Sequence, residues 1–475
     1  MKLMRSLSIL LIVTGLFALV ATAGRSSIAM DPVFTSLGSP TMPFVPSGSF
    51  ITASWYCPGI PTGQPGLGGN VVITNPTDQA IQGRLTVFTD RDATPPTSLP
   101  ITIGARNSEQ LDLTQLQTVG TFLSALVEID GGGGFVEQQA LHPAGNSVSA
   151  CSNAASSNWY FADGFTVDGS TEQLVLTNPF PDAAIVDIGF VTEQGKRTPS
   201  RFQGFPVPGR SVRIVDFGSG AQDEPVIAAQ VIASRGRIVA ARSQHYVGGN
   251  RLGYGISLGA PSLASQYYFA DGEVGDGISE QYRVFNGSTQ DVVVDVIFLG
   301  AGADFLNNAE LEVPAGGYAK LDTADIAGLP AGRHGSVFST LSSESIAVER
   351  IISRPTGNLV TTTVVMGSPS TLASTRWSGA ISTDVALDDV LVVLNVDNVD
   401  TTVAVSALGP GGLVPVPGLE AVPLPAGAVI PISITDAAVL GQAFVVQSAQ
   451  RLYVERLLPR GGDLRGRSGS FALSG

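Results

Sequence analysis

The chain repeats itself about every hundred residues, and that period limits its fold more than any other feature does. Trp159 to Pro179 reads WYFADGFTVDGSTEQLVLTNP, and Tyr267 to Gly287 reads YYFADGEVGDGISEQYRVFNG. Weaker copies open at Trp55 and Trp377 and run on to Asn75 and Asn395. The asparagines that end the strand after each opener, Asn75, Asn178, Asn286 and Asn395, stand 103, 108 and 109 residues apart. The repeats also close alike, on Phe135-Val136-Glu137-Gln138, Ile238-Val239-Ala240-Ala241, Ala347-Val348-Glu349-Arg350 and Tyr453-Val454-Glu455-Arg456. Solenoid units run roughly 20 to 50 residues, so a unit twice that long has the size of a free-standing domain.

Within a repeat the pattern is that of short strands. In the second, Glu172–Asn178, Ala184–Thr192, Ser211–Val215, Val226–Ser234 and Gly236–Arg242 are apolar or alternating runs punctuated by Asn-Pro, Gln-Gly, Pro-Gly and Arg-Gly turns. Turn signals about every ten residues in a unit of about a hundred point to an antiparallel sandwich. The expected fold is therefore all-β: four tandem immunoglobulin-like antiparallel β-sandwich modules at 45–148, 155–255, 263–358 and 372–460. The Cys…Trp…Cys spacing of true immunoglobulin domains is missing, which leaves the topology open. Single helical turns are expected within 113–119 and 323–329. Linkers fall at about 144–156, 249–265 and 355–375, and the Gly/Ser/Arg-rich segment 461–475 reads as a disordered tail.

The N-terminus carries a targeting signal. Lys2 and Arg5 precede an uncharged apolar run, Leu7 to Ala23, which ends in Ala21-Thr22-Ala23. This fits a signal peptide cleaved after Ala23, with an uncleaved membrane anchor as the alternative for residues 1–30. Either way the body is expected outside the cytoplasm, secreted or tethered to the outer face of the membrane. With 14% charged residues, 56 glycines and 30 prolines, composition agrees with strands and turns. A net charge of −14 argues against nucleic acid and anionic lipid as partners. A cell-wall polymer or an envelope protein remains as the partner class.

In an exported chain the two cysteines, Cys57 and Cys151, are most simply a disulfide closing the first module on itself. The sharpest acidic constellation is Asp163, Asp168 and Glu172, repeated with the same spacing as Asp271, Asp276 and Glu280. Carboxylates on glycine-rich turns suit weak extracellular Ca²⁺ binding. Asp-Gly is equally the ordinary turn dipeptide, and the turn is the preferred reading. His142 and His245 recur just past the closing strands, which favours a structural role, and His334 falls in an expected loop. No Gly-x-Ser-x-Gly elbow, His-Glu-x-x-His helix or phosphate loop is present, and no enzyme activity is expected. Glu349-Arg350 and Glu455-Arg456 read as charge pairs on the exposed face of the closing strand, worth little there.

The Trp-Tyr-Phe-Ala-Asp-Gly and Tyr-Tyr-Phe-Ala-Asp-Gly openers at 159–164 and 267–272, with Leu-Thr-Asn-Pro at 176–179, carry a family resemblance. Together with the N-terminal apolar segment they resemble an uncharacterised actinobacterial family of exported proteins, the domain of unknown function 5719 type. The resemblance spans most of residues 50–460, although Arg376-Trp377-Ser378-Gly379 lacks the Phe-Ala-Asp-Gly core. It implies the β modules and export, and it brings no catalytic residue. The expected function is a non-enzymatic cell-envelope protein acting as a modular spacer or interaction scaffold. The alternative is a carbohydrate- or cell-wall-binding array that would use exposed opener aromatics such as Trp159 and Tyr160; burial of the openers is expected instead.

Overall fold

The computed structural model describes residues 42–46, 52–302, 305–340, 345–380, 389–436, 438–439 and 441–475. Residues 1–30, where a signal peptide or anchor is expected, lie outside the described residues. The described chain is almost entirely antiparallel β-structure. Each repeat contributes an opener strand, a second strand that ends in the repeated asparagine, a closing strand and a return strand. The opener strands are Thr52–Pro61, Asn158–Phe161, Gln266–Val274 and Ser374–Gly379. The second strands are Gly68–Asn75, Thr171–Asn178, Ser279–Asn286 and Asp389–Asn395. The closing strands are Phe135–Leu141, Val239–Gly248, Ile346–Thr356 and Phe444–Pro459, and the return strands Ser147–Ala150, Arg251–Leu258, Leu359–Met366 and Arg467–Phe471.

In the first three repeats two sheets form, one built around the opener and the other running from the second strand through the closing strand to the return strand. In the fourth, the closing strand runs 16 residues unbroken. Its first half pairs the opener and its second half pairs the second strand, so both halves belong to one nine-stranded sheet. Apolar side chains from both sheets meet in one core per repeat, as Trp159, Ile188 and Val231 meet Leu174, Leu176 and Ala240 in the second. Burying one side of each strand is what alternating sequences such as Ala184–Thr192 encode.

The repeated asparagine ties the end of its strand to the far side of its own repeat. All four are 1% exposed or less. In each, Oδ1 accepts the N–H two residues on, at 2.9–3.1 Å. Nδ2 donates to the carbonyl four residues on, at 2.7–2.9 Å, and to a carbonyl of Gly104, Val207, Val313 or Pro425 across the repeat. An Asn286→Ala change strands these buried partners and is expected to lower stability by about 2–3 kcal/mol, measured by urea unfolding. The helical turns also recur. Asp112, Asp216 and Asp322 each cap one with a side-chain oxygen accepting a backbone N–H at 2.8–3.0 Å.

Two expectations are corrected. The expected linkers hold the return strands, each paired along its own closing strand. The expected tail 461–475 is ordered: Arg467–Phe471 pairs the last closing strand, and Leu473 is buried in the core of the first repeat. Residues 41–475 form one compact unit. The physical reason is that each repeat leaves apolar and charged groups on its flanks that a neighbouring repeat covers or pairs.

Candidate functional site

The seams between repeats hold buried ion pairs. Adjacent residues of a strand point to opposite faces, and the closing strands exploit this with a Glu-Arg pair. Glu349 turns back to the second repeat while Arg350 turns on toward the fourth. The Glu349 carboxylate accepts the N–H groups of Ala162 and Asp163 at 2.8 and 2.7 Å and a bidentate pair from Arg242 at 2.7 and 3.0 Å. Glu455 repeats the arrangement on Ala270, Asp271 and Arg350, at 2.8, 3.2, 2.7 and 3.1 Å. Glu137, in the first repeat, takes the N–H of Ala380 at 2.6 Å and both terminal nitrogens of Arg456. That third seam joins the last repeat to the first, so the four repeats close into a ring. All six charged side chains are 1% exposed or less.

The remaining seam, between repeats one and two, has no such pair among the described residues, and three substitutions remove it together. Strand register aligns Glu137, Glu349 and Glu455 with Ala241, and Arg242, Arg350 and Arg456 with Gln138. The N–H donors Ala162, Ala270 and Ala380 each lie three residues past an opener aromatic, and the residue at that place in repeat one is Pro58. Proline has no N–H to offer. With acceptor, cation and donor all gone, none of these three positions carries a charge that needs a partner. Gln138 Nε2 donates to the Pro58 carbonyl at 2.9 Å, and Ala241 joins the apolar core of the first repeat. Phe88 and Phe122 pack on Val175 and Val212 across the same seam.

These carboxylates are saturated by two-point arginines and backbone donors, which suits holding geometry more than reacting. Reading Glu349-Arg350 and Glu455-Arg456 as exposed pairs is thus corrected. They look solvent-facing because each partner lies in another repeat, 105 residues or more away. Arg242 does not show in the sequence repeat, in which the segment matching the other closing strands is Ile238-Val239-Ala240-Ala241. The structural register places Val239-Ala240-Ala241-Arg242 there.

The acidic triplets are split. Asp168 and Asp276 are exposed on turns, and Asp168 Oδ2 accepts from Gly249 N–H at 3.0 Å. Asp163 and Asp271 are buried against arginines. Arg251 and Arg283 lie 3.4 and 3.7 Å from Asp163. Arg354, Arg350 and Arg333 surround Asp271 and, against the effect of burial, hold its carboxyl below the usual carboxylate range. Glu280 accepts from Tyr282 Oη at 2.6 Å and lies 3.1 Å from His334 Nε2. Despite burial, His334 is the main influence that lowers it. Glu172 lies against Gly164, and burial raises its carboxyl well above the usual range. Among the described residues no group of three or more His, Cys, Asp or Glu gathers to hold a metal. Neither triplet is assembled as a Ca²⁺ donor set.

Cys57 and Cys151 form a disulfide, with their Cα atoms 4.5 Å apart. The openers Trp55, Trp159, Tyr267 and Trp377 are all 1% exposed or less, so they are core and offer a sugar no platform; Tyr160 is half-buried. His334 lies in the buried strand Gly332–Thr340, not in a loop. His142 and His245 meet across the first seam with ring centroids 4.7 Å apart, and His142 stacks on Tyr254 at 4.2 Å. Burial, followed by repulsion from His245 and Arg460, lowers His142 to about 4, and burial lowers His245 as well. With the folded value below the unfolded one, the unfolded chain takes up the proton first. Stability is therefore expected to fall as pH drops from about 6.5 toward 4. His142→Gln should lose less than the parent over that interval, read as urea midpoints at pH 7 and pH 4.5.

Residues 134–362 match a family of unknown function (DUF5719). No curated protein matches the chain. Among solved structures, Thermotoga maritima protein 1070 is 15% identical, with 23% of this chain and 97% of that one covered and a TM-score of 0.21. A tetra-tandem repeat from the extending region of a large adhesion protein is 14% identical over 85% and 95% of the two chains, with a TM-score of 0.12. An α-L-rhamnosidase of Streptomyces avermitilis in complex with L-rhamnose is 9% identical over 67% and 46%, with a TM-score of 0.15. At these scores none of the three structures carries an argument about this chain.

Proposed function

We propose that the protein is a non-enzymatic, exported interaction scaffold of the cell envelope, made of four immunoglobulin-like sandwiches locked into a ring. The observation that carries this reading is the set of buried Glu-Arg seams. They fix the repeats against one another and present their outer loops as one rigid body. A spacer needs its modules strung out, and repeats that fold back on the first one argue for a platform instead. The disulfide fits an oxidising compartment. No helix among the described residues is long and apolar enough to cross a membrane, which leaves residues 1–30 as the tether or the cleaved leader. The partner class remains a cell-wall polymer or an envelope protein.

The test is protease treatment of intact cells producing the full chain, combined with N-terminal sequencing and thiol mapping. Digestion from outside, an oxidised Cys57–Cys151 pair and either a new N-terminus after Ala23 or membrane retention would agree with it. Protein shielded inside the cell with both thiols reduced would refute it.

A further inference from the structure

The second strands carry an acid whose surroundings differ between repeats two and three. Six residues before the repeated asparagines stand Gly69, Glu172, Glu280 and Asp389. Repeat one, whose closing strand Phe135–Leu141 has no arginine, has no acid at this place either. Glu172 and Glu280 are both 1% exposed or less. Each stands two residues before the residue that pairs with the seam arginine, Leu174 with Arg242 and Tyr282 with Arg350.

Glu280 is well supplied with donors. Tyr282 Oη donates to it at 2.6 Å and Glu273 N–H at 3.0 Å, and His334 Nε2 lies 3.1 Å away. Repeat two has none of the three. Leu174 takes the place of Tyr282, and Ile227 meets Gly164 where His334 meets Gly272. Phe165, the counterpart of Glu273, gives its N–H to Gln244 Oε1 at 3.2 Å. Gln244 lies directly across from Glu172, and its Nε2 donates to the Phe165 and Thr171 carbonyls at 2.7 and 3.1 Å. Both Glu172 oxygens are thus buried without a hydrogen-bond partner.

The charged groups that face Glu172 are Arg242, Asp163 and Glu349. Arg242 is held by both oxygens of Glu349, and Arg251 and Arg283 lean on Asp163. A carboxylate at Glu172 would face two other acids with no hydrogen bond of its own, which burial makes costly. Burial is accordingly the largest influence that raises it. Asp163 and Glu349 add to the rise, and Arg242 and the Phe165 amide oppose it without reversing it.

We propose that Glu172 enters the fold as the neutral acid, and that its deprotonation loosens the seam between repeats two and three. Glu280, beside the next seam, stays ionised and confers no such response. An unfolded glutamate titrates near about 4.3. Between there and the higher folded value, the folded chain keeps a proton that the unfolded chain has given up. Over that interval this group's contribution to stability falls as pH rises, opposite in sign to that of His142.

The experiment compares the full chain with Glu172→Gln, whose amide imitates the neutral acid and cannot ionise. The variant's melting temperature should gain on the parent's by roughly 2 °C or more between pH 5 and pH 9. Infrared spectra at pH 7 should show a protonated-carboxyl band in the parent that the variant lacks. In the parent, hydrogen-exchange protection around Ala162 and Asp163, corrected for intrinsic exchange, should fall more with pH than that around Ala270 and Asp271. The variant should remove the excess. Glu280→Gln should instead lower the melting temperature at pH 7 and leave the parent's alkaline loss in place. Glu172→Met replaces the glutamine variant if that one does not fold. A melting difference that is constant with pH overturns the proposal, and so do equal carboxyl bands in parent and variant or an equal loss of protection at the two seams.

Discussion

Glu349→Ala is expected to lower stability by about 3–5 kcal/mol, because it leaves the Arg242 guanidinium and two backbone N–H groups buried without a counterpart. The protein itself indicates how that cost can be avoided. Where the acid is Ala241, the cation position holds Gln138 and the donor position holds Pro58. Arg242→Gln combined with Glu349→Ala should therefore cost less than the two single changes added together. The coupling between residues in direct contact is of order 1–3 kcal/mol. Adding Ala162→Pro copies the whole neutral seam and should recover more, provided the backbone there accepts the ring. Urea unfolding of the four members of the cycle checks this, and strict additivity would mean that the seam is not a unit.

Loss of the disulfide is the second large effect. Cys57 and Cys151 close a loop with a sequence separation of 94. In the chain-entropy account a loop of that length restrains the unfolded state by about 4–5 kcal/mol. Both cysteines are buried in the first repeat's core, beside residues from repeats two and four. The Cys57→Ala, Cys151→Ala variant should thus destabilise the ring at two seams as well as the first repeat. Calorimetry with and without reductant gives the same comparison in the unaltered chain. A melting temperature that ignores reductant, with the thiols shown to be free, would contradict this.

The sequence disclosed local structure well and long-range structure poorly. The period, the buried openers, the helical turns after residues 112 and 322 and the disulfide all follow from short patterns whose physics is local or confined to one repeat. The asparagines were visible as strand ends, but their role as ties across the repeat depends on carbonyls 27 to 30 residues away. The seams were hidden for a different reason. Glu349 and Arg350 sit side by side in sequence, yet neither bonds the other, and the Glu137–Arg456 pair is separated by 319 residues. An adjacent acid and base on a strand give no sign of burial until a neighbouring repeat covers both faces. The return strands read as linkers because glycine, serine, proline and asparagine gather around them, and what makes them strands is the closing strand beside each. Asp163 and Glu172 share a spacing with Asp271 and Glu280. Their surroundings differ because His334 and Tyr282 serve only the later pair.

The central claim is that four repeats close into one body, and small-angle scattering on the protein tests it most directly. A compact body of the size of residues 41–475 should have a radius of gyration of about 22 Å. Four sandwiches of about 13 Å each, strung end to end, would give roughly 40 Å or more. The closed ring predicts the first value, with a featureless, globular distance distribution. The second value, with a long tail in that distribution, would contradict it.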